Sequence, residues 1–432
     1  MSKRRYRVAL AATMSIAMLA TAACGSDDGA GSSGDNSSNG SGGGDVTLTM
    51  WTFLDPDAGT DGRSAALKSM IDNFESENDG VTIEVQTRDW ATLTSSYLAA
   101  AAAGNEPDIT WMPTNDYWSV VGQGALADIS DTYESSTDPL TGSLIDGMKK
   151  DDELYGVPIS MGAYGILYRK DLLEEAGVEE AQLETWDGFE QAVGALTDGD
   201  KVYGFGQAFS TTTADIQVMA PRLLQTEGSL FTDDGDPTWA TDNGVAALEY
   251  QLGFVQNGFT SDAAVQWTSE DTYEQYVAGR AAIVPALSTR VPVMNEQLGE
   301  EIVGFALWPQ GAGSQDGNLV AGWTVGVSAE SDHADVAANF VGSLVSTQAD
   351  EEWVTTGGQA PLREETLQAI DDAPQYLVTV IEAMKTGWIP PPAAVHGDYR
   401  VYLNEAAQNA LVKGMDAREA LEAAQEQYEE GK

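Results

Sequence analysis

The chain has 432 residues, 42% of them hydrophobic, and a formal net charge of −47 at pH 7. Because this length exceeds what one ordinary hydrophobic core holds, it predicts a globular protein with two lobes. The charge argues against a nucleic-acid partner, since no basic stripe is present to release counterions from phosphates, and it repels anionic ligands. A neutral or cationic ligand fits this balance best.

Cysteine and histidine are too scarce for a disulfide or a zinc site. The one cysteine, Cys24, has no partner for an internal disulfide. The two histidines, His333 and His396, occur without a cysteine pair, which excludes a zinc site of the usual composition. We therefore expect no metal and no cofactor.

The N-terminus has the order of a targeting segment. Basic residues in 3–7 precede an apolar run, 8–20, that is too short to span a bilayer comfortably. Small residues then lead to Cys24, an order that resembles a bacterial lipoprotein signal peptide over residues 1–23, although Thr21 replaces the leucine frequent in such signals. An ordinary secretory signal with an incidental cysteine is one alternative, and twin-arginine export is another.

Residues 24–44 form a tract dominated by Gly, Ser, Asp and Asn after Cys24. Such a tract cannot bury a core, so it predicts a flexible tether with a root-mean-square reach of roughly 25 Å. A lipid on Cys24 together with this tether predicts a folded part anchored at the extracellular face of the cell membrane.

Strand and helix patterns alternate at the start of the folded part. Period-2 alternation predicts strands at 46–51 and 81–85, and a third strand follows at 108–112. Apolar residues at helical spacing predict a helix over 67–74, and an alanine-rich helix covers 93–103. This βαβαβ rhythm predicts a parallel sheet with helices on its faces.

Tryptophans and polar side chains follow each of these three strands. In parallel sheets, ligands gather beyond the carboxyl ends of the strands. We therefore expect a binding site there, and the candidates at these ends are Trp51, Asp55, Arg88, Trp90, Asn115, Asp116 and Trp118.

A segment at 154–170 is predicted to connect the two lobes. Gly156 and Pro158 interrupt an extended apolar run, which indicates a strand that extends, turns and extends again. We predict the crossover at 156–162, with Tyr164 in the part that lines the gap. Further crossovers are expected at 302–309 and at 345–349. The predicted first lobe comprises 45–158 and 308–346, and the second comprises 159–307 and 347–432.

The folded part carries, in this order, MWTFLDPD, EPDITWMPTNDYWSVVGQGALADI, LYGVPISMGAYGILYRKDLLEEAG, TWDGF, AGRAAIVPAL, AGWTVGVS, GGQAPLR and MDAREALEAA. Together these segments resemble the carbohydrate-type extracellular solute-binding proteins of bacterial ABC importers, the maltose-binding-protein-like group. The resemblance implies an α/β clamp of two lobes, each a mainly parallel sheet flanked by helices, with three crossovers as hinge. It also implies a sugar in the cleft, an ABC permease as partner and a monomeric binding protein rather than an enzyme.

An uncharged sugar offers apolar C–H faces and a rim of hydroxyls, so its site needs aromatic plates together with donors and acceptors. The stacking candidates are Trp51, Trp90, Trp118, Tyr164, Trp323, Trp388 and Tyr399, and the polar candidates are Asp55, Arg88, Asn115, Asp116 and Ser288. Each tryptophan could instead belong to a core, and each charged group to a solvated loop. By the resemblance, Asn115 and Asp116 lie on a hydroxyl-binding loop. Gly162 stands where relatives often have an acidic contact, which suggests a sugar other than maltose.

Three functions remain open from the residues. The first is a receptor that closes on a sugar by hinge motion and docks on a permease. The second is a secreted glycoside hydrolase, which requires two carboxylates flanking the scissile bond, and Asp55 and Asp116 do not exclude it. The third is a binder of the same fold for a cation such as a polyamine, which the acidic charge permits. The crossovers and the tether favour the receptor, so we assign no catalytic residue.

Overall fold

The structure is a computed structural model that describes residues 45–59, 61–134, 143–150, 152–199, 201–211, 218–232, 234–311, 317–370, 373–390 and 398–431. All of them belong to the compact unit Gly44–Lys432. The predicted signal segment, Cys24 and the tether at 24–44 lie outside the described residues.

The strands occupy both halves of the chain. They are β1 (Val46–Thr52), β2 (Val81–Thr87), β3 (Ile109–Pro113), β4 (Lys149–Lys150), β5 (Glu153–Leu154), β6 (Val157–Arg169), β7 (Tyr203–Phe205), β8 (Ala281–Leu287), β9 (Val303–Leu307) and β10 (Val320–Val327). The three strands predicted at the start of the folded part are all present.

The helices alternate with these strands and then complete the C-terminal part. They are α1 (Gly62–Glu77), α2 (Leu93–Ala103), α3 (Tyr117–Gly122), α4 (Ser130–Glu134), α5 (Ser143–Asp146), α6 (Lys170–Ala176), α7 (Trp186–Leu196), α8 (Met219–Glu227), α9 (Asp242–Gln256), α10 (Ser269–Val277), α11 (Val291–Leu298), α12 (Ala334–Ser343), α13 (Thr347–Thr355), α14 (Glu364–Gln368), α15 (Gln375–Thr386), α16 (Tyr399–Lys413) and α17 (Ala417–Glu430). Within the described ranges, none of them combines the length and the apolar character needed to cross a bilayer.

The main sheet has the strand order β2-β1-β3-β10-β6-β8-β7, and β9 also pairs with β6. The pairs β1–β2 and β1–β3 are parallel, as the βαβαβ pattern predicts. β10 runs antiparallel to both β3 and β6, while β7 and β8 form the parallel pair of the second lobe. The two-lobed α/β clamp expected from the sequence is confirmed.

Two hydrophobic cores share the strand β6, whose 13 residues are all buried. Residues up to Ala163 pack in the core of the first lobe, and residues from Tyr164 onward pack in the cores of the second. The expected turn at 156–162 is therefore replaced by one continuous strand. In its first half β6 pairs with β10 alone, so Pro158 lies on an edge strand, where a missing N–H is tolerated.

The later boundaries between the lobes also differ from the predicted ones. Trp308 stacks on Trp186 in the second core, so the chain returns to the first core only at Val320, not at 308. Helices α13 and α15 then stay with the first lobe instead of the second, because they bury apolar faces in its core. Trp353 of α13 packs edge-to-face on Trp111 of β3, with ring centroids 6.0 Å apart. α16 and α17 complete the second lobe.

A β-bulge interrupts the pairing of β6 and β10 where the two lobes meet. The register shifts between Ala321 and Trp323, so Ser160 and Met161 lie opposite the single residue Gly322. Ser160 has a positive φ of 52°. Its hydroxyl donates a hydrogen bond of 2.7 Å to Oε1 of Gln359 in the first lobe. A Cβ atom on Gly322 would lie 2.4 Å from the Ser160 carbonyl oxygen, so only glycine fits this position.

We expect Gly322→Ala to lower the free energy of unfolding by about 1–3 kcal/mol, because the backbone of β6 must move to admit the methyl group. Urea unfolding measures this change. Gly342→Ala in α12 is the matched control, since its Cβ would meet only Thr132 Cγ2 at 3.5 Å, and it is expected to leave stability unchanged or slightly higher. Equal stability of the two variants would contradict the close approach at the bulge.

Candidate functional site

Asp116 of the first lobe ends the 3₁₀ turn Thr114–Asp116 that follows β3. Its Oδ2 accepts a hydrogen bond of 2.6 Å from the Thr94 hydroxyl of α2. Burial raises the pKa of Asp116, and the nearby Asp398 carboxylate raises it further. The Thr94 hydrogen bond and the Arg400 guanidinium lower the pKa, but the net shift is upward. The carboxyl is therefore half-buried and lies within electrostatic range of two charges from the second lobe.

Arg400 and Asp398 form a rigid pair at the start of α16. Asp398 caps the helix by accepting the Arg400 backbone N–H at 3.0 Å, which is the usual role of an N-terminal Asp. The Arg400 side chain donates to the same carboxylate through Nε at 2.8 Å and Nη2 at 2.6 Å. Its Nη1 donates to the Tyr164 hydroxyl at 3.3 Å. Three contacts thus fix the orientation of the guanidinium.

The charge of Arg400 is secured by its neighbours. Burial lowers the pKa of Arg400, but the Asp398 carboxylate and the Tyr164 hydroxyl outweigh this effect, and the pKa ends well above its ordinary value. One N–H on each terminal nitrogen remains unused among the described residues. The pair therefore keeps fixed hydrogen-bond donors within electrostatic range of Asp116 from the first lobe.

These side chains form one group, which we call the interlobe polar cluster: Thr94 and Asp116 from the first lobe, and Tyr164, Asp398 and Arg400 from the second. An acceptor on one side and donors on the other can hold a hydroxyl group from two directions. Asn115 lies next to Asp116 on the same turn and is half-buried. The structure thus brings together three predicted site residues, Asn115, Asp116 and Tyr164.

Trp90 carries an exposed aromatic ring four residues before Thr94 in the sequence. It begins the 3₁₀ turn Trp90–Thr92, which immediately precedes α2. Trp90 is 45% exposed, and among the described residues the only other exposed large hydrophobic side chain is Val412. The ring is therefore free to stack on a ligand.

Trp51 and Arg88 form a cation–π contact with each other. The Arg88 guanidinium lies 4.2 Å from the centroid of the Trp51 ring, and the Trp51 Nε1 donates to Gln86 Oε1 at 3.0 Å. The guanidinium covers the face of the indole that a sugar would need. Asp55 is likewise engaged in a turn, since its Oδ1 accepts the backbone N–H groups of Asp57 and Ala58. None of these contacts joins the three candidates to the interlobe polar cluster.

Several predicted stacking residues lie in the cores. Trp118 is 4% exposed and packs on Tyr117, and Tyr399 is 3% exposed. Trp388 packs edge-to-face on Tyr399 with ring centroids 5.9 Å apart. Tyr399 lies in the core of the second lobe, and Trp388 packs against that core. In the first lobe Trp323 stacks on Phe53 with centroids 4.1 Å apart.

The Ser288 side chain forms a hydrogen bond with the backbone of β6, where the chain passes from one lobe to the other. It is 2% exposed, and its hydroxyl accepts the Ala163 N–H at 3.2 Å. A Cβ atom on Gly162 would lie 2.5 Å from this hydroxyl oxygen, so a side chain at 162 would displace Ser288. The acidic contact that relatives often place here has no room.

Sequence reasoning did not select Thr94, Asp398 or Arg400 as site residues. The Asp-X-Arg spacing at the start of a helix does predict a capping pair. No sequence pattern links Arg400 with Tyr164, which is 236 residues away. Within the described ranges, the structure has no group of three His, Cys, Asp or Glu side chains that could hold a metal ion.

Comparison with known proteins identifies the family. Residues 69–377 match the family model described as bacterial extracellular solute-binding protein. A binding protein of Brucella abortus is 25% identical over 234 residues, and the match spans about half of each chain, 53% of this one and 54% of the relative. The arabinooligosaccharide-binding protein of Halalkalibacterium halodurans is 23% identical over 301 residues, which is 67% of this chain and 66% of the relative.

Solved structures show the same fold. An ABC transporter solute-binding protein from Thermotoga lettingae TMO, bound with α-D-tagatose, superimposes with a TM-score of 0.78 at 21% identity, over 89% of this chain and 99% of that one. The family model covers well over half of the chain, and the architecture agrees with it. The chain belongs to the family of bacterial extracellular solute-binding proteins.

Proposed function

We propose that this protein captures an uncharged sugar or oligosaccharide between its lobes and delivers it to an ABC permease, without catalysing a reaction. The observation that carries the proposal is the interlobe polar cluster, in which the acceptor Asp116 and the donor Arg400 come from different lobes. The sugar ligands of the Thermotoga and Halalkalibacterium proteins support the same ligand class.

The chemistry of the cluster fits a hydroxyl-rich neutral ligand. A sugar hydroxyl donates to the Asp116 carboxylate and accepts from the unused N–H groups of Arg400, and both bonds are strengthened by charge. Trp90 supplies an apolar plate for the C–H face of a ring. A ligand that contacts both lobes stabilises the closed form by its differential affinity for that form.

The same contacts weigh against the other two functions. A glycoside hydrolase needs a free acid and a free base, whereas the carboxylate of Asp398 is held by two hydrogen bonds from Arg400. A polyamine would meet the permanently charged guanidinium of Arg400 inside the site. Attachment through a lipidated Cys24, which the signal-like N-terminus predicts, and docking to permease subunits, which the family resemblance implies, complete the proposal.

Isothermal titration calorimetry with a ligand panel tests the function. Arabino-oligosaccharides, maltose, tagatose and spermidine are titrated into the folded part, residues 45–432, and the mixtures are analysed by chromatography for cleavage. We expect saturable binding of at least one carbohydrate, no binding of spermidine and no new products. Product release would contradict a binding protein, and binding of spermidine without any carbohydrate would contradict a sugar ligand.

We expect Trp90→Ala to weaken carbohydrate binding by roughly tenfold or more, because the plate for the sugar face is lost. Since the side chain is exposed, the free energy of unfolding is expected to change by less than about 0.5 kcal/mol. Calorimetry and urea unfolding measure the two quantities. Val412→Ala is the matched control, because it removes the other exposed large hydrophobic side chain from the far part of α16. Unchanged affinity of the Trp90 variant would place the ligand elsewhere.

A further inference from the structure

The Thr94 hydroxyl makes a long-range contact, unlike the hydroxyl next to it on the same helix. α2 is an alanine-rich helix that buries Leu93 and Tyr97 against the first lobe. The neighbouring Ser95 hydroxyl donates locally to the Thr92 carbonyl at 3.0 Å, as hydroxyls in helices often do. The Thr94 hydroxyl instead donates at 2.6 Å to Oδ2 of Asp116, which is 22 residues away and lies on the turn after β3.

We propose that Thr94 is a positioning residue for ligand capture: its hydroxyl holds Oδ2 of Asp116, so that Oδ1 faces the gap between the lobes as the acceptor for the ligand. Oδ1 has no hydrogen-bond partner among the described residues. An Asp side chain at the end of a turn rotates freely unless one oxygen is held. Thr94 therefore removes a rotation that binding would otherwise have to freeze. This inference rests on the proposed function.

The pKa of Asp116 depends on the Thr94 hydrogen bond as well as on the charges around the carboxyl. The groups that face it are Thr94 from α2, Asp398 from the segment before α16, and Arg400 from α16, which is itself held by Tyr164 of β6. Burial and Asp398 favour the neutral acid, whereas Thr94 and Arg400 favour the carboxylate. Loss of the Thr94 hydroxyl shifts this balance toward the neutral form, which cannot accept a hydroxyl proton as strongly.

The test uses residues 45–432 with Thr94→Val, which keeps the shape and removes the hydroxyl, and Thr94→Ser, which restores it. Ser95→Ala is the matched control on the same helix, because it removes a hydroxyl that contacts only the helix backbone. Two readouts are taken: the dissociation constant of the bound carbohydrate between pH 4 and pH 8, and the carboxyl-carbon NMR titration of Asp116, assigned by its absence in Asp116→Asn.

We expect Thr94→Val to weaken binding roughly tenfold at pH 7. In this variant, the loss of affinity on acidification is expected to begin at a higher pH. The reason is that the ionised Asp116 carboxylate has lost the hydrogen bond from Thr94, so its pKa rises. Thr94→Ser recovers most of the affinity, and Ser95→Ala behaves as wild type. An equal loss at every pH without rescue by serine would reduce Thr94 to a packing residue and overturn the proposal. The NMR titration needs no ligand, so an unshifted Asp116 titration in Thr94→Val overturns it even if no carbohydrate binds.

Discussion

Replacing Arg400 by methionine is expected to weaken carbohydrate binding by roughly 100-fold or more. The variant keeps the length of the side chain but loses the donors that face the gap between the lobes. It also leaves the Asp398 carboxylate without its counterion, within electrostatic range of Asp116, so two like charges face the ligand. Calorimetry with the carbohydrate identified in the ligand panel measures the loss. Arg400→Lys keeps the charge without the two-point contact to Asp398 and is expected to lie between the variant and wild type.

Arg88→Met is the matched control for this experiment. Arg88 is also an arginine with an aromatic neighbour, but its guanidinium lies over Trp51 and donates to Gln86 Oε1 at 2.9 Å. We expect its removal to change the affinity by less than about threefold. If Arg88→Met were the damaging variant and Arg400→Met the mild one, the ligand would lie over Trp51, which is one of the stacking candidates named from the sequence.

Replacing Asp350 by alanine is expected to lower the free energy of unfolding by about 3–5 kcal/mol. Asp350 of α13 is 1% exposed and accepts the backbone N–H of Leu362 at 2.7 Å and the Thr366 hydroxyl at 2.7 Å. It also accepts the Arg363 backbone N–H at 3.1 Å. The Arg363 side chain is 3% exposed and donates to the Val345 carbonyl. The substitution therefore removes the counter-charge that lies 3.9 Å from Nη1 of the buried Arg363, and it leaves two backbone donors without their acceptor.

Urea unfolding measures this effect, and an exposed ion pair supplies the control. Lys201 and Asp198 lie 3.0 Å apart with side chains that are 80% and 69% exposed. Because such pairs are solvated and screened, Lys201→Ala is expected to leave the denaturant midpoint unchanged. A midpoint for Asp350→Ala equal to that of wild type would show that the segment 347–366 does not depend on this carboxylate for its attachment to the first lobe.

The local part of the fold was predictable because its patterns depend on near neighbours. The alternation at 46–51 gave β1, and the alanine-rich segment ended as predicted at Gly104, which has a left-handed φ of 66°. The boundaries between the lobes were harder, because they depend on which core an apolar face packs against. The apolar faces of α13 and α15 could pack in either lobe, and tertiary contacts such as that of Trp353 with Trp111 place them in the first.

The site residues that lie at the ends of strands or on the strand between the lobes were predictable from the sequence. Asn115 and Asp116 follow β3 directly, and Tyr164 lies on the strand that joins the lobes. The exposure of an aromatic ring was not predictable, since Trp90 and Trp118 both follow strands but are 45% and 4% exposed. Arg400 could not be assigned from sequence, because its role comes from its hydrogen bond to Tyr164 and its electrostatic effect on Asp116, residues distant along the chain.

Crystallography of residues 45–432 with the bound carbohydrate tests the central claim most directly, because that claim concerns which atoms meet the ligand. We expect the sugar to lie between the lobes, with a hydroxyl within hydrogen-bond distance of both Asp116 Oδ1 and a terminal nitrogen of Arg400, and with a ring face on Trp90. A sugar bound to one lobe alone, or lying over Trp51 and away from Arg400, would contradict the account.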